Sequence, residues 1–290
     1  MPGRFAGLVA VVAGCARPPG MGHATALRLA RGGAAVVCAD AVGGPPPGAG
    51  DGWYDTGIVS ADVLDGVTAE VAAAAATAGG GAVSFAADPY DQRSWEGAAR
   101  LAMERFGRID ICCSLMGTTG PVAGDGHLGD LSLESWQRCL DVNLTAPLLL
   151  SRACAAAMVE RGEGGVIVIL SSYSAIVPPA GNGAIAAARA GVNTLTQVLG
   201  LELAPHGIRV NAVQPLSVRS DDPRFPNPGL LRLAEGEADS FSTWVRHQVP
   251  LGRPQRPDET AAAIEFLCSE ESSFISGVAL PVAGGSHTHA

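Results

Sequence analysis

The chain has 290 residues, of which 47% are hydrophobic and 16% charged, and its formal net charge is −9. This length and composition are typical of a soluble globular protein with one large core or two modest ones. The acidic balance, without any run of Lys or Arg, argues against a nucleic-acid partner, because phosphate binding needs clustered positive charge. We expect the partner to be a small molecule.

The first 33 residues predict a strand, a glycine-rich turn and a helix. Residues 8–13 form a continuous apolar run, and "HATALRLARGG" places Leu27 and Ala30 on one helical face before Gly32 and Gly33 end it. The segment "MPGRFAGLVAVVAGC" also looks like a short export signal. The strand and turn explain it better, so we expect neither export nor a membrane partner.

The rest of the chain repeats this alternation. Apolar runs occur at residues 34–39, 82–87, 109–115, 166–170, 208–213 and 278–282, with helical patterns between most of them. Strands without inward and outward alternation are buried on both faces, which is typical of a parallel sheet covered by helices on each side. We predict one α/β domain over residues 1–290, a doubly wound Rossmann-type sheet, with a variable segment at about 216–250.

Residues that typically begin and end helices agree with this pattern. Ser94 is predicted to cap "WEGAARLAMERFG", which Gly107 ends, and Pro257 begins a helix with acidic residues in its first turn. The seven cysteines show neither Cys-x-x-Cys spacing nor the density of a disulfide scaffold. We expect reduced thiols, no metal site and a cytoplasmic location.

The turn "AGCARPPGMGHATA" is the first candidate for chemistry. Gly14, Gly20 and Gly22 lie between a strand and a helix, where backbone N–H groups and the helix N-terminus can bind a pyrophosphate. Asp40 ends the second strand, where a carboxylate can accept hydrogen bonds from an adenosine ribose. A carboxylate at this position favours NAD, because it repels the 2′-phosphate of NADP. The positive charge of Arg17 in the turn leaves NADP as the alternative. A purely structural turn with no cofactor also fits these residues.

At this point the sequence resembles the short-chain dehydrogenase/reductase family over nearly all of its length. The matching pieces are the glycine turn, "AADPYD", "LDVNLTAPLLLSRA", "GGVIVILSS", "ELAPHGIRVNAVQP" and "PLGRPQRPDETAAAIEFLCSEESSFISGVALPVAGG". The resemblance implies the same fold and a nicotinamide cofactor. The cofactor-binding residues that it implies are Gly14, Arg17, Gly20, Met21, Gly22, Asp40, Asp88, Pro89, Leu115, Gly117, Arg189, Pro215, Val218 and Ser220.

The resemblance also implies where catalysis takes place. The family uses a serine to hold the substrate oxygen, a tyrosine to transfer its proton, a lysine to bind the nicotinamide ribose, and an asparagine to support the relay. Ser172 and Asn143 match the serine and the asparagine. The tyrosine position holds Ile185, which has no proton to transfer, and the lysine position holds Arg189. Loss of a general acid typically costs roughly 10²- to 10⁴-fold in rate.

Arg189 keeps a positive charge and several donors, so we expect it to bind ribose hydroxyls with adjustment. Tyr173 adjoins Ser172 but is expected to point to the opposite face of an extended segment. His247 follows Trp244 in "STWVRHQVP", within the segment that covers the substrate in this family, and is a weaker candidate for the missing acid. His127 lies in another loop.

Three functions remain open at this level. The first is a nicotinamide-dependent reductase of a hydrophobic substrate that needs no proton on oxygen, such as an iminium or a conjugated double bond. The second is a non-redox isomerase, lyase or cyclase that uses Ser172, Asn143 and Arg189 to stabilise an anion. The third is a silent paralogue that binds a partner. In each case the resemblance implies a homodimer or homotetramer.

Overall fold

The computed structural model describes residues 3–43, 59–118, 126–216 and 248–286. Seven parallel strands form one sheet in the order β3-β2-β1-β4-β5-β6-β7. The strands are β1 Val9–Ala13, β2 Ala35–Ala41, β3 Ala82–Ala87, β4 Ile111–Ser114, β5 Gly165–Leu170, β6 Ile208–Pro215 and β7 Ala279–Val282. Each predicted apolar run is therefore a strand, because a parallel strand buried on both faces is apolar throughout.

Helices cover both faces of this sheet. They are α1 Met21–Arg31, α2 Ala61–Ala76, α3 Gln92–Phe106, α4 Leu133–Leu140, α5 Ala146–Arg161, α6 Gly183–Leu203 and α7 Pro257–Cys268. One buried cluster joins the sheet to α1, α2 and α7, and a second joins its other face to α3, α5 and α6. The predicted doubly wound α/β sheet is confirmed.

The strand order reverses between β1 and β4, which lie side by side. In open parallel sheets the crevice for a ligand lies outside the carboxyl ends of the strands at this point. The glycine turn follows β1, Asp40 lies near the end of β2, and Ser172 follows β5. The topology therefore brings the predicted site residues to one edge of the sheet.

Two of the predicted helix ends are correct and one is wrong. Gly107 ends α3 with a left-handed φ of 77°, and α7 begins at Pro257. Asp91, not Ser94, caps α3, because its carboxylate accepts the N–H of Arg93 at 2.9 Å. The Ser94 hydroxyl accepts the N–H of Asp88 at 2.9 Å instead and so holds the end of β3 to the helix.

The stretch Leu133–Arg161 contains a π-helical turn over Asp141–Thr145 between α4 and α5. The extra residue in this turn places Asn143 in the interior. By length and composition the whole stretch could cross a membrane, but 50% of its most apolar window is buried inside the protein. A core helix of a soluble protein has the same property.

Candidate functional site

The glycine turn packs closely against its neighbours. Gly14 has a φ of 84°, and a Cβ on it would lie 2.7 Å from the Leu115 carbonyl oxygen. A Cβ on Gly22 would overlap the Gly14 carbonyl oxygen. Gly20 is the N-cap of α1 and has no side chain to cap the helix, so the first-turn N–H groups, beginning at Met21, lie where this fold binds an anionic ligand.

Asp40 ties this turn to the end of β2. Its carboxylate accepts the N–H of Ala16 at 2.6 Å and the N–H of Ala41 at 2.8 Å, and the side chain is buried. Burial raises the pKa of Asp40 from 3.8 to about 6, against the opposing effects of the Ala16 N–H and the Arg17 charge. Asp40 is therefore half charged near pH 6 and fully charged only above it.

This titration predicts a pH-dependent choice of cofactor. Charged Asp40 repels the 2′-phosphate of NADP, and protonation below about pH 6 removes that repulsion. We expect the affinity for NADPH relative to NADH to rise roughly tenfold, or about 1.4 kcal/mol, between pH 8 and pH 5. Fluorescence titrations at each pH measure the ratio. In Asp40→Asn only the 2′-phosphate of NADPH titrates. If the affinity ratio changes with pH as much in this variant as in the parent, the role of Asp40 is contradicted.

A cleft of about 610 Å³ lies between the ends of β2 and β3, and Ala41, the residue after Asp40, lines it. Val42 lines one side, and Asp88, Pro89 and Tyr90 line the other. Asp88 and Pro89 were implied by the family resemblance, whereas Tyr90 and Val42 were not. In this fold a cleft after β2, a carboxylate at the end of β2 and the helix N-terminus after β1 bind the base, the ribose and the pyrophosphate of a dinucleotide, and these residues fit that arrangement.

The segment after β4 carries the first unusual residues. The Ser114 hydroxyl is fully buried and, among the described residues, has no hydrogen-bond partner. Leu115 and Met116 are also buried, and Gly117 lies against the guanidinium of Arg189. A side chain at Gly117 would displace that guanidinium, so the glycine and the arginine are sterically linked.

Arg189 is buried on α6 and donates to main-chain carbonyls. Its Nη1 donates to the carbonyls of Leu170 at 2.5 Å and Asn143 at 3.4 Å, and its Nη2 donates to that of Met116 at 3.1 Å. Burial lowers the pKa of Arg189 to about 10, and the side chain stays cationic at neutral pH. The guanidinium thus joins the ends of β4 and β5 to the π turn. Its contact with a ribose stays a prediction.

Asn143 holds the same region through its side chain. Its Nδ2 donates to the carbonyls of Cys139 at 3.0 Å and Thr118 at 3.2 Å, and its Oδ1 accepts the N–H of Thr118 at 3.2 Å. The amide is fully buried. Its side chain therefore positions the segment after β4 rather than facing open solvent.

Ile185, one turn before Arg189, is buried in a small apolar cluster with Cys139 and Ala184, against which Leu131 and Trp136 pack. The side chain is 4% exposed. An aliphatic group in this cluster can exclude water but can neither donate nor accept a proton. Any chemistry at this position therefore obtains its proton elsewhere.

Ser172 lies at the end of the extended segment after β5 and is partly accessible. Its Oγ accepts the N–H of Ser174 at 3.1 Å and the hydroxyl of Ser174 at 2.9 Å. The chain turns here into a 3₁₀ helix, Tyr173–Ala175, so the strand alternation used to orient Tyr173 does not apply. Tyr173 is buried. The pattern Ser-x-Ser before a turn could have identified Ser174 from the sequence.

The structure describes only some of the remaining predicted residues. Pro215 ends β6 and is buried, and His127 is exposed beside a bridge between Gly126 and Asn182. Val218, Ser220, Trp244 and His247 lie outside the described residues. Within the described ranges no group of three or more His, Cys, Asp or Glu side chains could hold a metal ion.

Known proteins resemble this chain along its whole length. A family model described as enoyl-(acyl carrier protein) reductase matches residues 55–287. The 2,5-dichloro-2,5-cyclohexadiene-1,4-diol dehydrogenase of Sphingobium indicum is 31% identical over 285 residues, covering 98% of each chain. The trans-4-hydroxycyclohexanecarboxylate dehydrogenase of Sinomonas cyclohexanicum is 32% identical over 282 residues, covering 97% of this chain and 93% of that one.

Among solved structures, carveol dehydrogenase from Mycobacterium avium in complex with NAD superimposes with a TM-score of 0.83. It is 29% identical, and the match covers 99% of each chain. All three relatives are named as dehydrogenases, and the solved one is in complex with NAD.

Proposed function

Because the chain belongs to the short-chain dehydrogenase/reductase family, we propose that it is an NAD(P)-dependent oxidoreductase of small, hydrophobic, cyclic substrates. We further propose that it reduces a group needing no proton on oxygen during hydride transfer, such as an iminium or a conjugated double bond. The ring compounds in the names of its relatives support the substrate class. A cytoplasmic homodimer or homotetramer is part of the same proposal.

One observation carries this function: the nucleotide-binding turn is closely packed, whereas the position of the family's proton donor is aliphatic. Gly22 packs on Gly14, and Asp40 secures the turn. Ile185 is buried where the family has its tyrosine. Loss of redox function would leave no requirement for the close contacts of the turn, so their presence favours a bound nucleotide.

Each site residue has a proposed role in binding the cofactor or in shaping the site. The turn and the N-terminus of α1 would bind the pyrophosphate of the cofactor, Asp40 would bind its ribose, and the cleft beside Tyr90 would hold its base. When bound, the nicotinamide would supply the hydride. Arg189 holds the ends of β4 and β5 together, and Asn143 holds the segment after β4. The aliphatic Ile185 would exclude water from the reacting group.

Restoring a phenol at position 185 is expected to restore alcohol chemistry. We expect Ile185→Tyr to oxidise cyclohexanol with NAD at least about 100-fold faster than the parent, because it supplies a general base. The larger ring overpacks its cluster at a cost of about 1–3 kcal/mol. Steady-state rates measure the gain.

Ile185→Phe is the matched control, with the same ring and no hydroxyl. A similar rate in the Phe and Tyr variants, or a parent that already oxidises cyclohexanol as fast as Ile185→Tyr, contradicts the proposal that the proton donor is missing.

A titration with NADH and NADPH tests the cofactor part of the proposal. We expect micromolar binding of NADH by fluorescence or calorimetry, and weaker binding of NADPH at pH 8. Failure to bind either nucleotide at millimolar concentration overturns the proposed function. Turnover without nucleotide would instead identify a non-redox catalyst.

A further inference from the structure

Arg189 has hydrogen-bond donors that no described residue accepts. A guanidinium carries five N–H bonds in one plane and has no acceptor. Nη1 donates to the carbonyls of Leu170 and Asn143, and Nη2 donates to the carbonyl of Met116. These three hydrogen bonds leave at least two N–H bonds, one of them on Nε, without a partner among the described residues. Nε and Nη2 form one edge of the guanidinium, and this edge is only partly used.

Two other arginines show what the same edge binds elsewhere in the chain. Arg28 donates from Nε and Nη2 to the two carboxylate oxygens of Asp258, at 2.8 Å each. Arg108 makes the same bidentate contact with Asp110, at 2.8 Å and 2.7 Å. In both pairs the carboxylate satisfies the edge and neutralises the charge. Among the described residues, Arg189 contacts no carboxylate.

The positive charge of Arg189 is therefore buried among neutral acceptors. The side chain is 4% exposed, and burial lowers its pKa to about 10, against the opposing effect of Cys139. The described hydrogen bonds of Arg189 do not include the Cys139 sulfur, which accepts from Asn143 Nδ2 at 3.6 Å instead. Carbonyl oxygens and ribose hydroxyls satisfy donors but carry no net charge. A buried guanidinium held by such groups alone favours an anion beside it.

The guanidinium also has an accessible side and an apolar neighbour. Gly117 is partly accessible, and a Cβ on it would overlap Nη2, so a ligand can approach the cation where this side chain is absent. Ile185 lies one turn before Arg189 on the same side of α6. The partly accessible side chains of Leu131 and Trp136 pack against its cluster. The cation and an apolar surface are thus neighbours.

We propose that Arg189 binds a carboxylate of the substrate, which is a cyclic hydrophobic acid and not a neutral ring compound. The carboxylate lies at the Nε edge, in the bidentate manner of Arg28 and Arg108, and the ring lies against the cluster of Ile185. The three carbonyl contacts of Arg189 hold the guanidinium in place for this role. The inference rests on the proposed function for the reaction and adds the charge of the substrate. The group that accepts the hydride is a second group of the same molecule.

The first test measures binding by calorimetry at pH 8, without nucleotide and in a buffer without chloride. The probes are cyclohexanecarboxylate, the neutral cyclohexanecarboxamide of the same shape, and acetate. We expect the ring acid to bind at least about 10-fold more tightly than the other two, because only it has both the charge and the ring. Equal binding of the acid and the amide, or no binding of the acid, overturns the inference. Equal binding of acetate and the ring acid overturns the substrate class.

Three variants connect the binding to Arg189. Arg189→Lys keeps the charge but not the bidentate geometry, so we expect about 10-fold weaker binding of the acid and unchanged binding of the amide. Arg100→Met replaces an exposed arginine on α3 and should change neither affinity. Cys139→Ala should leave the ultraviolet absorbance of thiolate unchanged. An Arg189→Lys variant that binds the acid as the parent does overturns the inference. So does the loss of one thiolate in Cys139→Ala, because Cys139 would then be the counter-charge.

NADH separates this inference from the proposed function. We expect saturating NADH to change the affinity for cyclohexanecarboxylate less than about threefold, because the two ligands occupy different places. A larger fall would assign the Nε edge to the cofactor and overturn the inference, while the proposed function stands. Failure of NADH to bind overturns the proposed function, whereas the carboxylate preference is measured without nucleotide. If Arg189→Lys does not fold, the three probes on the parent protein still decide the inference.

Discussion

Replacement of Gly22 by alanine is expected to weaken NADH binding by at least about 100-fold, or about 2.7 kcal/mol. A Cβ at this position would overlap the Gly14 carbonyl oxygen and lie 3.0 Å from the Cys15 Cα. Both neighbours are backbone, so relief requires the whole turn to move away from α1. That movement displaces the N–H groups that would bind the pyrophosphate.

Gly66→Ala is the matched control for this experiment. Gly66 lies in α2, and a Cβ there would have nothing within 4 Å. Alanine in a helix is favoured over glycine by about 0.5–1 kcal/mol, so this variant should be at least as stable as the parent and bind NADH equally. Fluorescence titration of both variants measures the difference. Equal affinity of Gly22→Ala and the parent contradicts the assignment of the turn.

Replacement of Arg189 by methionine is expected to lower the free energy of unfolding by about 3–9 kcal/mol. Three buried carbonyls, those of Met116, Asn143 and Leu170, lose a donor, and each unsatisfied group costs about 1–3 kcal/mol. Methionine fills a similar volume, so the loss reports hydrogen bonding more than packing. Urea unfolding measures it.

Two further variants complete this test. Arg189→Lys keeps a charge but not the planar fork that reaches two strand ends, so we expect an intermediate loss of stability. Arg100→Met replaces an exposed arginine on α3 and should leave the urea midpoint unchanged. An Arg189→Met variant as stable as the parent would show that these carbonyl contacts contribute nothing.

The sequence predicted the architecture because local signals determine it. Residues 82–87 and 208–213 are continuous apolar runs, and buried parallel strands have just such a composition. The C-terminus of α3 was predictable from Gly107, since a left-handed φ favours glycine. The N-cap of α3 was not predictable, because Asp91 and Ser94 are both good capping residues and their spacing alone does not choose between them.

The site was predicted less completely because its contacts join distant segments. The carbonyl partners of Arg189 come from the end of β5, from the segment after β4 and from the π turn at Asp141–Thr145. No local pattern brings these three together. The π turn itself interrupts an unbroken helical pattern, so its effect on Asn143 depends on packing alone. Ser174 was missed although its spacing from Ser172 was visible.

The central claim is that this protein transfers a hydride from a nicotinamide cofactor without a tyrosine proton donor. The most direct measurement uses NADH deuterated at C4, with cyclohex-2-enone and cyclohexanone as competing acceptors and mass spectrometry of the products. The account predicts deuterium at the β-carbon of the saturated ketone formed from the enone, at a rate at least about 100-fold above reduction of cyclohexanone. Equal deuterium transfer to the carbonyl carbon of cyclohexanone, or none to either compound, would contradict it.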